Sequence, residues 1–193
     1  MSAVGTGYPL SFDVEYPERL SRWLIFVKWL LVLPHWIIVG LLGFVAEVMT
    51  VIAWFAILFT GRYPKGLFDF VVGVYRWSYN ASVYPFLMRD EYPPFSMSTG
   101  QYPLTYEVEY PERLSRWLIF VKWLLVLPHL IVLSILSIVY LFTVFVAWFA
   151  ILFTGRYPRG LFDFAVGYLR WSARVNAYFI LLRDEYPPFS LRP

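Results

Sequence analysis

Apolar and polar positions follow three successive rhythms along this chain, and the whole succession occurs twice. Residues 8–14 alternate: Tyr8, Leu10, Phe12 and Val14 fall on one side, Ser11 and Asp13 on the other. Period two predicts a short strand with one buried face. Residues 23–59 are apolar with few interruptions, chiefly Lys28, Pro34 and Glu47. From residue 66 to 88 polarity returns at Asp69, Gly73, Arg76 and Asn80, whose spacings of four, three and four stack them in one helical stripe. A narrow polar stripe on a broad apolar body predicts an amphipathic helix lying at a membrane interface. The prolines of Asp90-Glu91-Tyr92-Pro93-Pro94-Phe95 then predict extended chain.

The same succession restarts at Tyr102 without an insertion. The run SRWLIFVKWLLVLPH stands unchanged at residues 21–35 and 115–129, AWFAILFTGRYP at 53–64 and 147–158, and RDEYPPFS at 89–96 and 183–190. This is a tandem duplication, with boundaries at residues 1–98 and 99–193; a solenoid needs three or more repeats. In the second copy the strand reads Tyr102, Leu104, Tyr106, Val108, and the stripe reads Asp163, Gly167, Arg170, Arg174. A lone strand has unmet backbone groups, so the two strands are expected to pair with each other, or each with its own EYPPF tail. Glu15-Tyr16-Pro17-Glu18 carries the proline and early acid of a helix start. Thr60-Gly61-Arg62-Tyr63-Pro64 carries the glycine and proline of a helix stop.

Composition changes the picture in one respect. Hydrophobic residues make up 60% and charged residues 15% of the chain, where globular proteins average about 45–50% and about 25%. With mean hydropathy of +0.59, the expected class is an all-α integral membrane protein. Each copy is then a short strand, an apolar helical hairpin (transmembrane or re-entrant) and an amphipathic interfacial helix. As one helix, residues 23–59 would reach about 55 Å, beyond the ~30 Å hydrocarbon core. A hairpin keeps Arg19, Arg22, Arg62, Lys65 and Arg76 on one side, the cytoplasmic one by the positive-inside rule. The expectation is therefore a multi-pass protein of four segments with cytoplasmic termini, turning either at Pro34-His35 or between Gly40 and Gly43. The first residues lack the basic and apolar regions of a cleaved signal. The net charge of +3 and the lack of a basic block argue against nucleic-acid binding. The chain has no cysteine, which excludes disulfides, thiolate catalysis and cysteine-ligated metals.

Few residues suggest chemistry. Gly40, Gly43, Glu47 and Thr50 form one small-and-polar helix face, with Ser134 and Ser137 in the second copy where Leu141 replaces the acid. Small residues let helices approach, and a buried carboxylate marks either an ion site or a contact to a neighbouring helix. His35 and His129 are equivalent and each follows a proline; they are candidate ligands of a haem or chlorophyll-type pigment, or bond backbone freed by the proline. Asp69, Arg76, Asp163, Arg170 and Arg174 form the expected interfacial stripe, while Arg62 with Asp69, Arg156 with Asp163, and Arg89-Asp90-Glu91 are expected as solvated ion pairs at headgroup level. Lys28 and Lys122 are expected to snorkel. No nucleophile, phosphate loop or metal spacing accompanies the carboxylates, so no enzyme activity and no metal site is expected.

EYPERLSRW, an apolar stretch with LPH, AWFAILFTGRYP-[KR]-GLFDF, RWS and DEYPPFS together resemble a bacterial membrane family known as domain of unknown function 4389, once per copy. The resemblance implies the bacterial cytoplasmic (inner) membrane and brings no activity, cofactor or catalytic residue. The function expected from the sequence is non-catalytic: an accessory or scaffold subunit docking to other integral membrane proteins or to itself. The alternative is a protein that organises or shapes membrane lipids alone.

Overall fold

The computed structural model describes residues 7–193; the absence of a signal in the first six residues lies outside them. Strand β1 is Leu10–Val14 and strand β2 is Leu104–Val108. Four helices follow the repeat: α1 (Leu33–Thr60), α2 (Lys65–Val83), α3 (Leu127–Thr154) and α4 (Arg159–Phe179). Short helical turns, Leu24–Phe26 with Lys28–Leu31 and Leu118–Phe120 with Lys122–Leu125, precede the two long helices.

Two expectations about the helices change. Pro17 and Glu18 start no helix. The chain there is drawn out between the copies, with the Leu20 amide donating to the Gly155 carbonyl and Arg89 donating to the Glu15 carbonyl. The apolar stretch also contains no hairpin. Its helical path breaks beside Pro34, the first of the two expected positions, while Gly40 and Gly43, the second, lie inside unbroken helix. Proline suits the first turn of a helix, where its missing N–H is not needed, and interior glycines cost only about 1 kcal/mol each. The chain folds back instead at Gly61 and Gly155, whose φ of 69° and 70° suits a residue without Cβ. Each long helix is therefore a single rod of 28 residues, about 42 Å long.

The strands pair with each other, antiparallel, with Leu10 opposite Val108, Phe12 opposite Tyr106 and Val14 opposite Leu104. Phe12 and Tyr106 are equivalent positions of the two copies, so a pseudo-twofold axis runs through this pair along the sheet normal. The pattern is that of an isologous dimer written in one chain. Each copy's N-terminal arm crosses to the other copy. Tyr16 donates to the Tyr157 carbonyl, and Tyr110 to the Tyr63 carbonyl. Leu20 donates to Gly155, and Leu114 to Gly61.

Three layers follow. The buried face of the sheet, Leu10, Phe12, Leu104 and Tyr106 among it, rests on α2 and α4. Arg76 and Tyr79 of α2 point to the sheet: Arg76 Nε donates to the Tyr106 carbonyl at 2.9 Å, and the Tyr79 ring lies 5.2 Å from Phe12. Trp77 and Ala81 point towards α1 and the residues before it. β2 runs along the helix beneath it, because Tyr110 meets Phe68 and Tyr106 meets Arg76. Those four residues of strand and eight of helix cover about 13 and 12 Å. α2 therefore lies parallel to the sheet plane, and α1 packs antiparallel to it on the side away from the sheet.

Beyond its exposed first residues, Asp69 and Asp163, the polar stripe of α2 and α4 is covered. Gly73 and Gly167 sit against the chain that follows each helix, where an added Cβ would lie 2.9 Å from Met97 and 2.8 Å from the Leu191 carbonyl. Replacing Gly167 by alanine should destabilise the fold by about 1–3 kcal/mol through overpacking. Gly160→Ala, with open space at its Cβ, should leave it unchanged or slightly more stable. Thermal unfolding of the two variants checks the difference.

Candidate functional site

The long helices carry most of the exposed apolar surface. On α1, Trp36, Ile37, Leu41, Phe44, Val48, Val51, Ile52, Phe55 and Phe59 are exposed, and on α3 Leu130, Ile131, Ile135, Ile138, Leu141, Phe142, Phe145 and Phe153. By length and composition both helices are able to cross a membrane, yet only 17% and 22% of their apolar windows are buried within the protein. A core helix of a soluble domain has most of such a window covered. Trp23, Trp29, Trp117 and Trp123 extend the face onto the short helical turns. Monomeric soluble proteins rarely expose apolar patches beyond a few hundred Å².

The start of each long helix lies beside the end of the other. Leu20 bonds Gly155 at the end of α3, the next amide, Ser21, donates to Asp90, and Asp90 pairs with Lys28 just before α1. Leu114, Ser115, Asp184 and Lys122 repeat this around Gly61. The helices α1 and α3 are thus antiparallel across the axis. Lys28 and Lys122 do not snorkel. Each is 1% exposed, held by the aspartate and by the Arg89 or Arg183 carbonyl. Burial lowers the pKa of both amines, against the opposing pull of the aspartates.

The residues of the expected interfacial stripe divide, and its aspartates pair with Lys65 and Arg159 in place of Arg62 and Arg156. Lys65–Asp69 and Arg159–Asp163 are solvated pairs at 3.3 and 3.5 Å. Arg76, Arg170 and Arg174 are structural instead. Arg76 holds the Tyr106 and Met97 carbonyls, Arg170 holds Phe12 and Leu191 and pairs with Asp13 at 2.9 Å, and Arg174 holds Arg192 beneath the Tyr8 ring. A stripe on a helix and a strand that must be held give the same spacing in sequence.

His35 and His129 are fully buried, each in an aromatic box of its own copy. The Trp77 indole donates to His35 Nδ1 at 2.9 Å, and Trp171 to His129 Nδ1 at 3.1 Å. Phe95 and Phe189 stack on the two imidazoles at 3.9 and 3.8 Å. An accepting Nδ1 puts the proton of a neutral imidazole on Nε2. The Nε2 of each buried imidazole closes no hydrogen bond. Ligation of a haem or pigment iron or magnesium through Nδ1 would require the indole bond to break. The EYPPF tail, expected as a strand partner or free extended chain, is the lid of this box.

Glu47 and Thr50 line a groove of about 640 Å³ together with Trp54 and Phe55 of α1, Tyr75 of α2, and Lys122, Trp123, Asn176, Phe179 and Ile180 of the other copy. Gly40 and Gly43 face open space. Ser134 and Ser137 bond carbonyls one turn back, Ile131 and Ser134, and remain exposed. The sequence face thus splits: its acid and hydroxyl join a site built by both copies, its small residues do not. Tyr75 and Asn176 were invisible as members, because they come from other helices.

These features define a duplicated, pseudo-symmetric protein whose two long helices each expose a broad apolar face. The chain belongs to the family Domain of unknown function (DUF4389), whose pattern matches residues 22–97 and 116–190. No curated protein and no solved structure matches it.

Trp77→Phe and Trp171→Phe each leave a buried imidazole nitrogen without its donor. Each should cost about 1–3 kcal/mol, read as a lowered unfolding midpoint.

Proposed function

We propose that this protein lies in one leaflet of a membrane, its two long helices parallel to the bilayer plane, and organises the surrounding lipid without catalysing a reaction. The level of the sheet carries this reading. Glu47 stands at the middle of α1 beside Tyr75, and the next residue, Arg76, holds the centre of β2. Were α1 and α3 to stand across the bilayer, the sheet would stand with them at half-height. Ser11, Asp13, Thr105 and Glu107, exposed on its outer side, would then face hydrocarbon. An ionisable group there costs about 2.5–3.5 kcal/mol on insertion scales, and open strand edges have no partners in lipid.

Charge adds a second argument. Antiparallel crossing helices would send Arg62 and Lys65 to one side and Arg156 and Arg159 to the other, which leaves no orientation bias. Lying in the plane, all four stay at one interface, the cytoplasmic side of a bacterial inner membrane. The exposed faces of α1 and α3 enter the leaflet, and the tryptophans of the short turns sit at headgroup depth. A slab in one leaflet expands that leaflet, so binding should respond to curvature. This placement replaces the four crossings expected from the sequence. A docking role has one observation in its favour: open space at Gly40 and Gly43 admits a partner's helix.

Because the chain has no cysteine, Arg62→Cys and Arg156→Cys can each carry the only thiol. In sealed vesicles an impermeant maleimide should reach both from the same side. Labelling from opposite sides would refute the in-plane placement, and failure to float with liposomes would refute the lipid-organising role.

A further inference from the structure

The duplication kept long runs of its two halves alike, and the groove beside Glu47 is one place where they part. Its polar members Glu47, Thr50, Tyr75 and Asn176 are matched across the pseudo-twofold by Leu141, Val144, Leu169 and Ser82. Ala46, small and buried beside the groove, is matched by Tyr140. In the twin position Tyr140 is 4% exposed, its ring stacked at 4.8 Å on Tyr168 and set against Phe86 at 5.3 Å. On that side the Tyr140 ring packs against Tyr168 and Phe86, while the groove beside Glu47 is open and polar-lined.

The open groove has an amphiphile's pattern. Trp54, Phe55, Trp123, Phe179 and Ile180 give it apolar walls. Glu47, Thr50, Tyr75 and Asn176 line the same groove, so its polar groups share one site. Glu47 makes no ion pair among the described residues. The nearby cation, Lys122, is already spent on Asp184 and the Arg183 carbonyl. The patch thus presents an unneutralised carboxylate, with the Asn176 amide beside it able to donate to ester or phosphate oxygens.

We propose that this groove binds one membrane lipid whose headgroup ends in a primary ammonium. The ammonium meets Glu47, the oxygens beside it meet Asn176, and an acyl chain follows the aromatic wall. The proposal rests on the in-plane placement for its geometry: Glu47 lies on the flank of α1 between its buried and exposed faces, which puts it at headgroup depth. An ammonium with three N–H donors is distinguished from a trimethylammonium of equal charge because only the former makes charge-assisted hydrogen bonds to a carboxylate.

The test uses the full chain in detergent micelles, with phosphatidylethanolamine, phosphatidylcholine and phosphatidylglycerol as probes and native mass spectrometry counting retained lipid. One phosphatidylethanolamine should be retained about tenfold more strongly than either of the others. Glu47→Gln should remove that preference, and Glu47→Leu, the twin's own residue, should do so with the fold intact. Equal retention of phosphatidylethanolamine and phosphatidylcholine, or an unchanged preference in Glu47→Gln, overturns the proposal. Thiol labelling in the Glu47→Gln background keeps the two ideas apart. Same-side labelling with no lipid preference in the parent protein sinks the groove alone, and opposite-side labelling sinks the placement and, with it, the headgroup depth on which the groove's geometry rests.

Discussion

The pairing of β1 with β2 across Phe12 and Tyr106 is the constraint on which the rest of the molecule depends. Opposing two equivalent residues in an antiparallel ladder allows one symmetry, a twofold along the sheet normal. From that axis the other relations follow. Each strand rests on the helix of the other copy, α2 and α4 lie along the sheet, and the long helices run antiparallel across the axis. The arms that carry the strands also stitch the copies together, through Leu20 to Gly155 and Leu114 to Gly61. Neither copy's core closes without the other, since the strand that covers α2 begins the second repeat and the one that covers α4 begins the first. The unit of sequence is thus not the unit of folding.

The buried polar groups serve that constraint. Arg76 and Arg170 hold strand carbonyls at the centre of the sheet, and Lys28 and Lys122 anchor the chain that joins each arm to its long helix. A buried cation without its partners costs several kcal/mol, so these pairs fix position even where they add little net stability. The Trp77–His35 and Trp171–His129 bonds do the same for the tails that close over α1 and α3.

Much of this was legible in the sequence, and what was missed has a physical reason. The alternation at Tyr8–Val14 gave the strand, exact repetition gave the two copies, and Gly61 with Pro64 gave the helix end, because each is a local signal. The strand pairing was one of two alternatives, and a long-range choice of this kind leaves no mark on local pattern. The stripe Asp69–Gly73–Arg76–Asn80 was read as a headgroup-facing surface, when most of it supports a strand and a tail. Period reports that a face exists and not what covers it. The apolar length of residues 23–59 suggested a hairpin where a single long helix stands, because composition does not mark where an apolar run turns. Glu47 stood out alone; its companions Tyr75 and Asn176 come from two other helices and could be joined to it only in three dimensions.

The central claim is that two helices long enough to cross a bilayer lie along it instead. Polarised infrared spectroscopy on the protein in aligned bilayers reads the mean direction of the helical amide groups. The account predicts dichroism of helices parallel to the membrane plane, since α1 to α4 share that orientation. Dichroism of helices along the bilayer normal would contradict it.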